Sequence, residues 1–193
     1  LFSHTTGSSN HAFGYEALYW TTTGTENNAF GRASLANNTT GSYNTAIGHA
    51  ALLSSATADN NTAVGHQAGY SNTTGSNLTA VGRVALYANT TGASNSAVGY
   101  GALNANTTGN YNTALGEFAL VSNTTASNNT AVGYQAGYKN TTGAGNTSFG
   151  YLAGQAITTG NGNTALGQGT LQSGTNTAAY NTAVGYAAAN NIT

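Results

Sequence analysis

A short motif returns along the whole chain every 17 residues. His11-Ala-Phe-Gly14, Asn28-Ala-Phe-Gly31, Thr45-Ala-Ile-Gly48 and Thr62-Ala-Val-Gly65 open the series, which continues through Gly82, Gly99, Gly116, Gly133, Gly150, Gly167 and Gly185. Every step is 17 residues except the last, which is 18. Internal periodicity of this kind marks a repeat architecture, in which one copy is a unit too small to bury its own apolar face. The consensus is Asn-Thr-Ala-φ-Gly-x-x-Ala-Leu-x-x-Asn-Thr-Thr-Gly-x-x, where φ is aliphatic or Phe.

Seventeen residues are too few for a helix pair. The glycines, asparagines and Thr-Thr pair of each copy are also poor in helix interiors. Thr-Ala-φ suits a strand, and Asn-Thr-Thr-Gly suits a turn. Each copy is expected to form two short strands and two turns. Stacked copies then give an all-β parallel β-solenoid, or β-roll, of about eleven coils, with residues 1–193 as one repeat segment. At about 4.8 Å per coil the rod is roughly 50 Å long.

The expected core is the φ column: Phe13, Phe30, Ile47, Val64, Val81, Val98, Leu115, Val132, Phe149, Leu166 and Val184. It is joined by the leucines at Leu18, Leu35, Leu52, Leu86, Leu103, Leu120 and Leu171, a position taken by Gly69, Gly137 and Gly154 in three copies. Strand alternation puts Thr45 and Ile47 on one face, and Ala46 and Gly48 on the other. The second face is nearly bare, so the interior there is very thin or a neighbouring chain packs against it. An Asn column (Asn10, Asn27, Asn44, Asn61, Asn95, Asn112, Asn129, Asn146, Asn163, Asn181), broken by Leu78, is expected to be structural, because identical asparagines ladder when strands stack.

Composition excludes several function classes. Only 4% of residues are charged and the net charge is −1, so no electrostatic footprint for nucleic acid exists. No apolar run is long enough to cross a membrane as a helix, and with no cysteine there are no disulfides. The carboxylates Glu16, Glu26, Asp59 and Glu117 do not pair in one column of adjacent coils, which leaves no basis for paired-carboxylate catalysis. No cofactor and no enzymatic activity are expected.

The residue after the motif glycine reads Tyr15, Arg32, His49, His66, Arg83, Tyr100, Glu117, Tyr134, Tyr151, Gln168, Tyr186. The His49–His66 pair is a candidate metal ligand set, but a zinc site needs more ligands and the flanking arginines disfavour a cation. No metal is expected. Candidate surface-binding residues are Tyr100, Tyr134, Tyr151 and Tyr186, with Tyr70, Tyr87 and Tyr138 from a second column. Exposed aromatics make platforms for sugar rings or for partner chains. Asn38, Asn72, Asn89, Asn106, Asn123 and Asn140 begin Asn-Thr-Thr triplets, which fit the N-glycosylation pattern as well as simple turn chemistry.

The block Asn129-Thr-Ala-Val-Gly-Tyr134, and likewise Asn95-Ser-Ala-Val-Gly99, resembles the head repeats of trimeric autotransporter adhesins and the repeats of phage and bacterial tail-fibre-like surface proteins. The resemblance covers essentially all of the chain. It implies left-handed parallel β-rolls bundled as a homotrimer on a cell or virion surface. It also implies self-association and contact with host or surface glycans and receptors, without membrane insertion by this segment. The expected function is a structural and adhesive extracellular fibre segment, part of a longer or polymeric fibre. The alternative is an ice-binding solenoid using the Thr ladder Thr45, Thr62, Thr79, Ser96, Thr113, Thr130, Thr147, Thr164, Thr182.

Overall fold

A computed structural model describes residues 5–174 and 176–190; the other residues of the expected 1–193 segment lie outside the described residues. The fold is a parallel β-solenoid. Eleven three-residue strands, from β1 (His11–Phe13) to β11 (Thr182–Val184), follow one another in sequence order in a single parallel sheet. The register matches motif to motif: Ala46 pairs with Ala63, and Ile47 with Val64. The 18-residue last step is absorbed outside the strands, so Thr164 still pairs with Thr182 and Leu166 with Val184. Ten steps of about 4.8 Å give a rod of roughly 48 Å.

Each coil has one strand where the sequence predicts two. The remainder of the coil is turns and bends, yet it still bonds to its neighbours. In one copy, Leu52 donates its N–H to the carbonyl of Ala68, Ser54 to Tyr70 and Ala56 to Thr73. The second strand is missing because the leucines sit in the left-handed region, with φ of 49–50°. An extended segment cannot contain such a residue. That conformation costs roughly 1–2 kcal/mol per residue. It turns a leucine fully inward, and burying a leucine contributes about 1.5–3 kcal/mol, so burial prevails.

The expected φ core is corrected. Phe13, Phe30, Ile47, Leu115, Phe149, Leu166 and Val184 are exposed, and Val64, Val81, Val98 and Val132 are half-buried. The alanine between Thr and φ faces inward instead: Ala29, Ala46, Ala63, Ala80, Ala97, Ala114, Ala131 and Ala165 are buried. Only one side of a strand can face the interior, and here the thin side does. The leucine column stands opposite and fills that space. A Cβ placed on Gly137 would lie 3.7 Å from the Cβ of Ala131 and 2.8 Å from Cδ2 of Leu120, so the two columns meet with room on the strand for alanine, or for Ser148 where Gly154 stands opposite.

The rest of the interior is amide. In the first Asn column the backbone N–H donates to Oδ1 one coil before, as Asn44 does to Asn27 at 3.0 Å, except at Asn95, which follows Leu78. The same Asn44 donates Nδ2 to the carbonyl of Ala58 at 2.8 Å. The structural role expected for this column is what its geometry gives.

The Asn-Thr-Thr asparagines form a second ladder. Asn106 Nδ2 donates to Asn89 Oδ1 at 2.8 Å and to the carbonyl of Gly109 at 3.0 Å, and Asn123 Nδ2 donates to Asn106 Oδ1 at 2.8 Å. Their reading as glycan acceptors is therefore corrected. Asn38, Asn72, Asn89, Asn106, Asn123 and Asn140 are all buried, and each Nδ2 that a glycan would need is turned inward, bonded to a carbonyl three residues on. The turn chemistry wins because a buried amide must be paired.

The motif glycine allows a close approach between neighbouring coils. A Cβ on Gly82 would stand 2.5 Å from the carbonyl oxygen of Gly99, and its φ of 132° excludes other residues on its own account.

Candidate interaction surface

With alanine, leucine and asparagine inside, the larger and more varied side chains point out. Three longitudinal surfaces result. The first is the outer face of the sheet, where the Thr ladder and the φ column run side by side. Thr62, Ser96, Thr113, Thr130, Thr147 and Thr182 are exposed, and Thr45, Thr79 and Thr164 half-buried. Residues two apart on a strand are separated by roughly 6.6 Å, and neighbouring strands by about 4.8 Å. The face is therefore a grid of hydroxyl and apolar columns. At one end Phe13 and Phe30 meet at 6.4 Å.

The second surface is the column after the motif glycine, and all of its members are exposed. Coil stacking brings like residues into ring contact. Tyr134 and Tyr151 stack at 5.4 Å, and His49 and His66 at 5.1 Å with 18° between their planes. Arg32 lies 5.9 Å from the ring centre of Tyr15, and Arg83 lies 5.5 Å from that of Tyr100, within cation–π reach. Tyr186 is exposed at the far end.

The second tyrosine column is less open. Tyr70 and Tyr87 stack at 5.1 Å, and Tyr138 meets Phe118 edge-on at 6.4 Å; all three are half-buried. Among the described residues no group of three or more His, Cys, Asp or Glu could hold a metal ion, and no helix is long and apolar enough to cross a membrane.

The third surface was not singled out from the sequence. Thr6, Thr23, Thr40, Thr57, Thr74, Thr91, Thr108, Thr125, Thr142 and Thr159 are the second threonines of the turn, and every one is exposed. The first threonine is occupied structurally: Thr90, for example, donates Oγ1 to the carbonyl of Thr107 at 3.1 Å. The signal available in the sequence was the uniformity of the column, which stays Thr in the coil of Ser55, Ala56 and Ala58, where its neighbours change.

Tyr43, Tyr111 and Tyr180 are further exposed aromatics. They occupy left-handed positions five residues before the motif glycine. A 410 Å³ depression near the start of the rod is lined by Glu16, Tyr19, Trp20, Ala33, Ala36, Asn37 and Leu53. It arises because Ala36 sits between the larger Tyr19 and Leu53 in one column.

The surfaces have the chemistry of recognition and packing: repeated apolar, hydroxyl and aromatic groups in straight lines, with no cluster of acids. Comparison with known proteins found no matching family model, curated protein or solved structure.

Proposed function

We propose that this chain is a rigid segment of an extracellular, cell-surface or virion-surface fibre, in which copies lie side by side and bury the φ column between them. The observation that carries this reading is the outward, in-register line of eleven φ residues along the sheet. Large contiguous apolar surface on a soluble protein marks an interaction site, and one that runs the length of a straight rod fits another straight rod. The likeness of the motif to trimeric adhesin heads supports three copies around one axis. Stiffness comes from backbone bonds between coils and from the two amide ladders. The remaining exposed columns repeat one contact many times, so that weak contacts add through multivalency.

The test is sedimentation equilibrium of the chain and of a double variant, Val98→Asp with Leu115→Asp. A homotrimer that the variant dissolves, with its circular dichroism intact, supports the reading. A wild-type chain that stays monomeric at high concentration sinks it.

A second reading is favoured by one observation: the Thr ladder is exposed beside the φ column on the same sheet, in the regular grid an ice-binding face requires. Such a face has to be free in solution. Thermal hysteresis by a monomeric chain, abolished by Thr113→Tyr, supports ice binding in place of assembly.

A further inference from the structure

Six successive coils carry Tyr15, Arg32, His49, His66, Arg83 and Tyr100 in the column after the motif glycine. The order is symmetric about the histidine pair. It holds two of the three cationic side chains of the chain and two of its four histidines. All six side chains are exposed. No carboxylate shares the column over these coils. Glu16 lies in the adjoining column beside Tyr15, and Glu26 and Asp59 lie beyond the asparagine turn.

Arg32 and Arg83 stand three coil steps, about 14 Å, apart with the two histidines between them, so the strip gathers most of the cationic side chains of a chain with almost no charge. The two arginines engage the terminal tyrosines, not acids: Arg32 with Tyr15 at 5.9 Å and Arg83 with Tyr100 at 5.5 Å. The tyrosine rings hold the guanidinium groups and leave their N–H donors open to an oxyanion. Between them, each stacked imidazole offers an N–H whether neutral or charged. The whole strip spans about 24 Å, five coil steps.

We propose that this strip binds a linear anionic polysaccharide laid along the rod axis. The arginines would take its sulfate or carboxylate groups, the histidines its hydroxyls, and the two tyrosines would stack on sugar rings at either end. The strip is one side chain wide, which suits a single extended chain and not the broad contact of a membrane surface. The proposal rests on the chain being a surface-displayed adhesive element, but not on its assembly.

The experiment is isothermal titration of the full chain with three probes: a heparin-derived oligosaccharide, an oligogalacturonate and inorganic polyphosphate. One or both saccharides should bind more tightly than polyphosphate, which has charge without rings, and the better of the two identifies sulfate or carboxylate as the anion. Arg32→Ala with Arg83→Ala should weaken saccharide binding by about tenfold per arginine. Tyr15→Ala with Tyr100→Ala should weaken saccharide but not polyphosphate binding, and Lys139→Ala should change neither. Equal binding of polyphosphate, saccharide binding unchanged in the arginine pair, or no binding of either saccharide overturns the proposal. Sedimentation of the same samples separates this outcome from a failure of side-by-side assembly, because a trimer that ignores the saccharides defeats only the ligand and a monomer that binds them defeats only the assembly.

Discussion

The interior of each coil has an apolar half and an amide half, and the two respond differently to imperfection in the repeat. On the apolar side, leucine gives way to Gly69, Gly137 and Gly154. The neighbour fills the gap: Cδ2 of Leu52 reaches to 2.8 Å from where a Cβ of Gly69 would be, and Leu120 does the same at Gly137. On the amide side every interruption leaves a mark. Ser55 breaks the turn ladder, and Asn38 Oδ1 and the Ser55 hydroxyl are left buried without a partner. Ile157 ends the same ladder, and Asn140 Oδ1 is orphaned. Leu78 interrupts the other ladder: it offers no Nδ2 to Asn61 Oδ1, and Asn61 Nδ2 is itself buried without a partner. Dispersion contacts are non-directional and can be remade by a rotamer change. A hydrogen bond needs one atom in one place.

This contrast sets an order of expected effects. Asn106→Ala, in the middle of the turn ladder, removes the partner of Asn89 Oδ1 and one of the two partners of Asn123 Nδ2 and of the Gly109 carbonyl. A cost of about 3 kcal/mol is expected, measured as a lower urea midpoint. Leu103→Ala, in the neighbouring apolar column, should cost about 2 kcal/mol, the low end for such a truncation, because Leu86 can lean into the space as Leu52 does over Gly69. If the leucine variant proves the more damaging of the two, the distinction between the halves fails.

A repair should run the other way. Ser55→Asn supplies the Nδ2 that Asn38 Oδ1 lacks and an Oδ1 for Asn72 above it, in a column where the next coils already fit asparagine. Stabilisation of about 1 kcal/mol is expected, and an unchanged or lower midpoint would show that the break is compensated elsewhere. The smallest effect belongs to the surface. Thr108→Ala, on the exposed threonine column, should change stability by less than about 0.5 kcal/mol. A larger loss would mean that the column is held for the fold and not for its surface.

Much of the fold was legible in the residues. The 17-residue spacing called for one coil per copy and a parallel stack, and the invariant register of the motif is what the strands show. The Asn column marked a ladder because the same amide recurred where like residues must meet. The side of the strand was harder to read. Thr-Ala-φ alternates cleanly, but alternation alone does not say which face is inside. Hydrophobicity pointed to φ, while the size of alanine pointed the other way. The turn asparagines favour turn chemistry over a glycan site already in the sequence, because Asn-Thr-Thr is a short pattern that such a composition produces freely; their burial needed coordinates. Of the surface groups, the tyrosine column and the paired histidines followed from period alone. The rings' partners, such as Arg32 on Tyr15, needed coordinates.

The period is written in the residues, and with it come the coil, the stack and the columns. Equivalent residues 17 apart can form backbone bonds to one another only if the chain returns to the same point each time. Which columns lie inside was decided only by the tertiary structure. The left-handed turns at Leu52 and its equivalents send leucine across a narrow interior, and the space left at the opposite wall admits alanine and excludes valine. The apolar φ residues are thereby turned outward, and the buried volume that remains is closed by pairs of asparagines whose hydrogen bonds no solvent could supply.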